Sequence, residues 1–319
     1  MTATNINGRG LTGLKEDSLK LILFGGKGGV GKTTCASSTA CYLAENLKTL
    51  LVSTDPAHSL SDSLGQKFGD EIIAMKELKN LSVLEVSADK ALAKFKLQYE
   101  AEIKKIMETA TNLDKEDIDA MFDLPVPGID EVMGFNTIMD LIEEKKFDKY
   151  IVDTAPTGHA LRLLSSPHLI DDYVKVMSKM RWKYRYMVTS FAGKYTHDKA
   201  DDFLLNLKKT VKGIEQMLRN QQKCEFIAVT IPEDMAIMET ERLVGDLNKY
   251  GMKVKQLVVN NVLESGDCPF CLARRNGQKK YLDQIKSKFS NLTMITMPLQ
   301  AQEVKGIESL HNYARQLFR

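Results

Sequence analysis

The chain is 319 residues long, 43% hydrophobic and 27% charged, which suits two ordinary domains or one large α/β domain with an insertion and excludes a disordered or fibrous chain. With 44 Lys and Arg against 42 Asp and Glu the net charge is +2, so no global basic excess drives it onto nucleic acid. No apolar run is long enough to span a bilayer and Met1 to Ser18 holds no apolar signal segment, while five cysteines with a single close pair favour a reducing cytoplasm over a disulfide scaffold.

Residues 1–18 read as a flexible leader. Short aliphatic runs follow at Leu21–Phe24, Leu50–Thr54, Val83–Val86, Tyr150–Asp153, Phe226–Ile231, Leu257–Asn260 and Met294–Met297. Near-continuous apolar strands alternating with helices predict an α/β fold, a doubly wound and mostly parallel sheet covered on both faces. Two stretches break the rhythm. In the first, Leu92, Phe95, Tyr99, Ile103 and Ile106 step by three and four; in the second, Leu204, Leu207, Val211, Ile214 and Leu218 do the same. Each is one face of an amphipathic helix. The expected organisation is a sheet domain from 19–88, 145–170 and 223–319, with a helical subdomain inserted as 89–144 and 171–222.

The first strand runs into Gly25-Gly26-Lys27-Gly28-Gly29-Val30-Gly31-Lys32-Thr33-Thr34, and a helical pattern follows. Gly26, Gly31, Lys32 and Thr33 satisfy G-x-x-x-x-G-K-[ST], the phosphate-binding loop. Phosphate oxygens need many N–H donors at close range, and residues without Cβ let the backbone approach. The helix N-terminus adds partial positive charge. Lys32 is expected on the β- and γ-phosphates of ATP and Thr33 on Mg²⁺. Two more strands end in carboxylates where parallel sheets bind ligands, Asp55 in Asp55-Pro56-Ala57-His58-Ser59 and Asp153 in Asp153-Thr154-Ala155-Pro156-Thr157-Gly158-His159. Such a group can orient a water or hold Mg²⁺ through its shell, or simply cap the next helix.

These segments, with Lys27 and the pair Cys268-Pro269-Phe270-Cys271, resemble the arsenical-pump and tail-anchored-protein-targeting ATPase family from about residue 19 to the end. The resemblance implies a deviant Walker A loop in which Lys27 reaches a partner subunit's nucleotide. It further implies Asp55 as the catalytic aspartate, Asn260 on the adenine, Pro298 in the loop over the base, and Glu233 on nucleotide across a dimer. Asp153 would hold Mg²⁺ through water. Two thiolates are half of a tetrahedral Zn²⁺ set, and the family completes it by pairing Cys268 and Cys271 with those of a second chain. A redox pair or idle thiols is the alternative, disfavoured because a redox C-x-x-C normally opens a helix after the first strand of its unit. Cys35, Cys41 and Cys224 read as buried small hydrophobes.

Ile170, Tyr173, Met177 and Met180 form a helical stripe, with Met187 beyond it and Met133 on another helix. Alone, such a stripe suits core as well as a groove; flexible Met also suits varied apolar partners. By resemblance this subdomain shields a client's transmembrane helix. The implied protein is a homodimeric cytoplasmic targeting factor, or a higher oligomer built on the dimer, with tail-anchored clients, a membrane receptor and no nucleic acid. A single-unit arsenite-transport ATPase is the alternative, and a partition or division-site ATPase a weaker one.

Overall fold

A computed structural model describes residues 10–55, 59–110, 114–124, 128–154, 172, 174–182, 186, 189–190 and 198–319. In chain order its elements are β1 (Leu21–Gly25), α1 (Lys32–Leu43), β2 (Thr49–Ser53), α2 (Ser59–Leu64), β3 (Ile73–Ala74), β4 (Leu81–Glu85), α3 (Ala88–Ala110), α4 (Lys115–Asp123), α5 (Ile129–Glu143) and β5 (Lys149–Asp153). There follow α6 (Lys199–Arg219), β6 (Cys224–Thr230), α7 (Asp234–Lys249), β7 (Val254–Val262), α8 (Pro269–Lys288), β8 (Thr293–Pro298) and α9 (Ile307–Leu317). Residues 174–182 are also helical.

Among the described residues the strands make one sheet in the order β3-β4-β2-β5-β1-β6-β7-β8. Every neighbouring pair is parallel except β3 with β4. The seven expected strands each overlap an observed one, and the α/β fold with a mostly parallel sheet is as read. The antiparallel β3 was not foreseen, because two residues carry no detectable alternation. Strands β1, β2, β5 and β6 are buried along their whole length, as expected where helices cover both faces. On one face Ile22, Phe24, Leu51, Ile151, Ile227 and Val258 pack with α1 and α9. Helix α9 contributes Leu310, Tyr313, Ala314 and Leu317, all buried, so the chain's end packs on the sheet.

Residues 10–18, expected within a flexible leader, are instead tied down. Leu11 and Leu14 are buried, and Lys149 Nζ donates to the carbonyls of Glu16 and Leu19. Gln256 closes a reciprocal pair with the Thr12 backbone, at 3.1 Å each way, and donates to Glu225 at 2.6 Å. Two leucines three apart anchor a stretch whose average composition is polar; composition alone hid them.

The chain divides into two compact units, one drawn from Met1–Ser87, Asp140–Leu161 and Met217–Arg319 and the other from Ala88–Met139 and Arg162–Gln216. The first holds the sheet. In the second, α3 meets α6 through the rings of Phe95, Tyr99 and Phe203, whose centroids lie 4.9 to 5.9 Å apart. It meets α4 where Lys104 bonds Asp119 at 2.6 Å and Lys96 donates to the Phe122 carbonyl at 2.9 Å. Arg181, itself buried, pairs with Asp198 and with Asp201 at 3.3 Å, fastening the 174–182 helix to the start of α6.

Candidate functional site

The site forms at the carboxyl ends of β1, β2, β5 and β7, around the point where the chain's progress across the sheet reverses about β1. Residues Gly26 to Gly31 make the turn from β1 into α1. At Gly26 a Cβ would land on the Val229 carbonyl oxygen of the neighbouring strand. At Gly31 the backbone is left-handed, φ 95° and ψ 28°, and a Cβ would run into the Asn260 amide. These two glycines are steric requirements. Lys27 is half-exposed, Gly28 and Gly29 are exposed, Val30 is buried, and Thr33 and Thr34 are half-buried.

Helix α1 has no side-chain cap at Gly31, and no acidic residue lies in its first turn. Its first N–H groups and dipole therefore aim at the loop with no carboxylate of their own helix to offset them. Lys32 is buried and donates to the Lys27 carbonyl at 3.3 Å. Burial pushes its ammonium pKa down, and the charges of Asp153 and Asp55 oppose that shift. A desolvated cation at a concave ring of N–H groups is suited to phosphate oxygens.

Asp153 is the last residue of β5, in register with Phe24 of β1 and Ser53 of β2. Thr33 Oγ1 donates to Asp153 Oδ2 at 2.6 Å, so the hydroxyl from α1 and the carboxylate from β5 converge on one spot. Asp55 sits two residues beyond β2, its N–H bonded to Ser53 Oγ at 3.1 Å. A hydroxyl, a carboxylate and a second carboxylate beside a buried lysine are oxygen donors of the kind Mg²⁺ takes. Residues 56–58 and 155–159 of the two carboxylate segments lie outside the described residues.

Asn260 ends up beneath the loop. Its Nδ2 donates to the Val30 carbonyl at 2.9 Å, and its Oδ1 accepts from Tyr313 Oη at 2.8 Å. Tyr313 Oη in turn lies 3.7 Å from Cys35 Sγ, a thiol pushed up to about 12 by burial. Residue 260 is thus already bonded at both ends of its amide and supports the phosphate loop. Sequence reading missed this floor of Asn260, Tyr313 and Cys35, three residues far apart in the chain. Pro298 closes β8, half-buried, and Glu233 is the exposed N-cap of α7, 3.9 Å from Arg274.

Lys27 pairs with Glu239 of α7 at 3.8 Å. Along α7 and α8, Met235, Met238, Phe270 and Leu272 are exposed large apolar side chains. Cys268 is the N-cap of α8, accepting from the Cys271 N–H at 3.3 Å, a bond that lowers the Cys268 thiol pKa. The pair therefore does open a helix, which removes one ground for setting a redox reading aside, although it follows β7 rather than a first strand. Among the described residues no group of three or more metal-binding side chains gathers. Cys35, Cys41 and Cys224 are buried as expected.

In the helical unit Met133 and Met177 are buried and Met180 half-buried. In this arrangement the first two pack inward and line no surface. Ile170, Tyr173 and Met187 lie outside the described residues. No helix among those described is long and apolar enough to cross a membrane.

A parallel sheet carrying a phosphate-binding loop, with carboxylates at the two strand ends beside it, defines a P-loop nucleotide-hydrolysing protein. The chain matches the anion-transporting ATPase family over residues 19–319 and belongs to it, so it is an ATPase. It is 38% identical to "ATPase ASNA1 homolog 2" of Paramecium tetraurelia, over 96% of this chain and 95% of that protein. To "ATPase GET3" of Komagataella phaffii it is 35% identical over 95% and 91%, and to "ATPase get3" of Neurospora crassa 34% over 96% and 92%.

Proposed function

We propose that this ATPase is a cytoplasmic targeting factor that shields the C-terminal membrane helix of tail-anchored proteins and releases it under control of ATP hydrolysis. What carries the reading is the extent of the likeness to the GET3 and ASNA1 ATPases, which spans the helical unit as well as the phosphate loop. The arsenite alternative is less favoured, since residues 89–144 and 171–222 contain no cysteine to bind a metalloid.

In this reading Gly26 to Thr34 cradle the triphosphate and Lys32 neutralises it, the phosphate restoring the charge that burial disfavours. Mg²⁺, held by Thr33 and through water by Asp153, would supply charge neutralisation at the β- and γ-phosphates. Asp55 orients and polarises the attacking water. Asn260 keeps one N–H and one lone pair for adenine while supporting the loop, and Pro298 covers the base. Lys27 and Glu233 serve the partner's nucleotide in a homodimer. Met235 and Met238, exposed on the helix whose Glu239 pairs with Lys27, support that assembly, because apolar side chains left in solvent there are suited to burial against a second copy. Cys268 and Cys271 fit half of a structural Zn²⁺ site, two thiol donors that are exposed and half-exposed. Met180, with Ile170, Tyr173 and Met187, contributes to the client surface; Met133 and Met177 support it from beneath. A membrane receptor would complete the delivery step.

Co-expression with a tail-anchored protein tests the reading. A soluble complex that dissociates on ATP hydrolysis is expected. Failure to recover one, with ATPase stimulated by arsenite instead, would transfer the chain to the alternative.

A further inference from the structure

The helix over residues 174–182 is amphipathic in an unusual sense. Val174, Met177 and Arg181 face inward, while Lys175, Val176, Lys179 and Trp182 face outward. Trp182 is 65% exposed, Tyr186 66% and Val176 56%. The rings of Trp182 and Tyr186 stack with centroids 5.9 Å apart, forming one outward aromatic ledge. Leaving the only tryptophan of the chain this exposed is costly in water, about 2 kcal/mol or more of unused burial.

Charge narrows the choice of what covers it. From 174 to 190 the sequence holds Lys175, Lys179, Arg181, Lys183 and Arg185 and no carboxylate, within a chain whose overall net charge is only +2. Arg181 is turned inward to Asp198 and Asp201, and Lys175 pairs with Asp172 at 3.1 Å. Lys179 is exposed on the same face as Trp182. A wholly apolar partner helix would gain nothing from Lys179 on the face of these rings, nor from a stretch whose charges are all positive. Indole and phenol rings flanked by lysine match the headgroup layer of a bilayer, where amphipathic rings settle and anionic lipids attract cations.

We propose that Val176, Lys179, Trp182 and Tyr186 form a contact surface for an anionic lipid bilayer. The contact is peripheral and reversible, because one short apolar ledge gives little buried area and the rest of the attraction is electrostatic and screened by salt. It stands apart from client carriage, since Val176, Lys179, Trp182 and Tyr186 include none of the residues assigned above to the client surface.

Trp182 is a built-in probe, being the sole tryptophan. The full chain is mixed, without client or ATP, with vesicles of phosphatidylcholine containing about one third phosphatidylserine. Trp182 emission should shift to the blue and the protein should float with the vesicles. Raising salt from low to about 0.5 M, where the screening length falls to a few Å, should reverse both. Pure phosphatidylcholine should bind at least about tenfold more weakly, and Lys179→Glu should weaken anionic binding on the order of tenfold. The double variant Trp182→Ala, Tyr186→Ala, followed by flotation, should lose about tenfold or more while keeping its fold, both side chains being largely exposed. Absence of the shift with anionic vesicles overturns the proposal, as does flotation of the double variant equal to the parent's. A shift given only by single-stranded RNA, or only by an apolar 20-residue peptide, also overturns it and reassigns the face to that ligand. A chain that fails to carry clients yet shifts with vesicles leaves this surface intact; the reverse result removes it alone.

Discussion

At the carboxyl ends of β1, β2 and β5 the reactive groups are turned into the protein. Lys32 is buried, Asp153 is buried, and Thr33 is bonded to it. On the helical stretch of the second unit the groups with partner chemistry are turned out, Trp182 and Tyr186 standing in solvent while Met177 and Arg181 are buried. The first arrangement suits a ligand that must be dehydrated and held in one geometry. The second suits a partner of varied shape met at a surface. Motif spacing reports the first kind of site, because each position is dictated by phosphate chemistry. Hydrophobic periodicity reports the face that meets the protein's own core, so it identified Met177 and passed over Trp182.

The sharpest break in that contrast is at the loop. Asp55→Asn should leave nucleotide binding near normal and lower turnover by about 10²-fold or more, since only water orientation and polarisation are lost. Gly31→Ala should act differently. At φ 95° an Ala costs about 1–2 kcal/mol, and its Cβ meets the Asn260 amide. Nucleotide affinity should fall about tenfold or more, while Gly29→Ala, at φ 80° with open space around it, should fall by less. Titration calorimetry with a non-hydrolysable analogue, beside steady-state turnover, separates the three. Equal losses at Gly29 and Gly31 would mean that Asn260 is no floor.

Arg181 carries the comparison into the second unit. Arg181→Met leaves Asp201 without the guanidinium 3.3 Å away and should cost about 3 kcal/mol, read as a lower denaturant midpoint. The value is at the lower end for a buried pair because Asp198 is partly exposed and keeps Lys105 at 2.9 Å. Adding Asp201→Leu should restore part of the loss, since an apolar pair of similar volume removes a buried carboxylate that has lost its guanidinium and keeps the Asp198 N–H. No recovery would place the effect in packing by the long arginine stem instead.

Legibility in the sequence followed the physics of each element. The strands were readable because burial on both faces leaves near-continuous apolar runs such as Leu21–Phe24. The loop was readable because Gly26, Gly31, Lys32 and Thr33 each answer a steric or charge requirement. Asn260 was placed on the right strand, though β7 runs two residues past it to Val262, and its bonds to Val30 and Tyr313 join residues far apart in the chain, which spacing cannot reveal. The anchoring of residues 10–18 was missed for the same reason, being made by Lys149 and Gln256 from distant strands. In the helical unit a stripe at three and four gave the helix and left open which face looks out.

Glu225 tests burial of charge in the sheet unit, where, among the described residues, its carboxylate makes no ion pair within 4 Å. Burial raises its carboxyl pKa, with the Gln256 hydrogen bond and Lys255 opposing and Glu16 adding to the shift. The folded state therefore holds this proton more tightly than the unfolded chain. Its favourable contribution is complete below the ordinary glutamate pKa and is lost as pH rises through the raised, folded value. Glu225→Gln, which keeps an acceptor for Gln256, should equal the parent in acid and exceed it in stability above that window. Parallel unfolding curves at every pH would show that the carboxylate is solvated in the native state.

The smallest effect is at Lys27, and it separates a role within one chain from a role between two. Its pair with Glu239 is 3.8 Å long, with 32% and 27% of the two side chains exposed, so it contributes no more than about 1 kcal/mol. If Lys27 serves a partner's nucleotide, it must leave Glu239 when two chains close, and that pair is then a brake on dimerisation. Glu239→Gln, placed in the Asp55→Asn background so that ATP persists, should tighten the ATP-bound dimer by up to about fivefold for each of the two pairs released, the factor equivalent to about 1 kcal/mol per pair. The nucleotide-free association should not change. Sedimentation across a dilution series measures both. Weaker ATP-dependent association in the variant would give Glu239 the opposite role, that of aiming Lys27 toward the partner rather than holding it back.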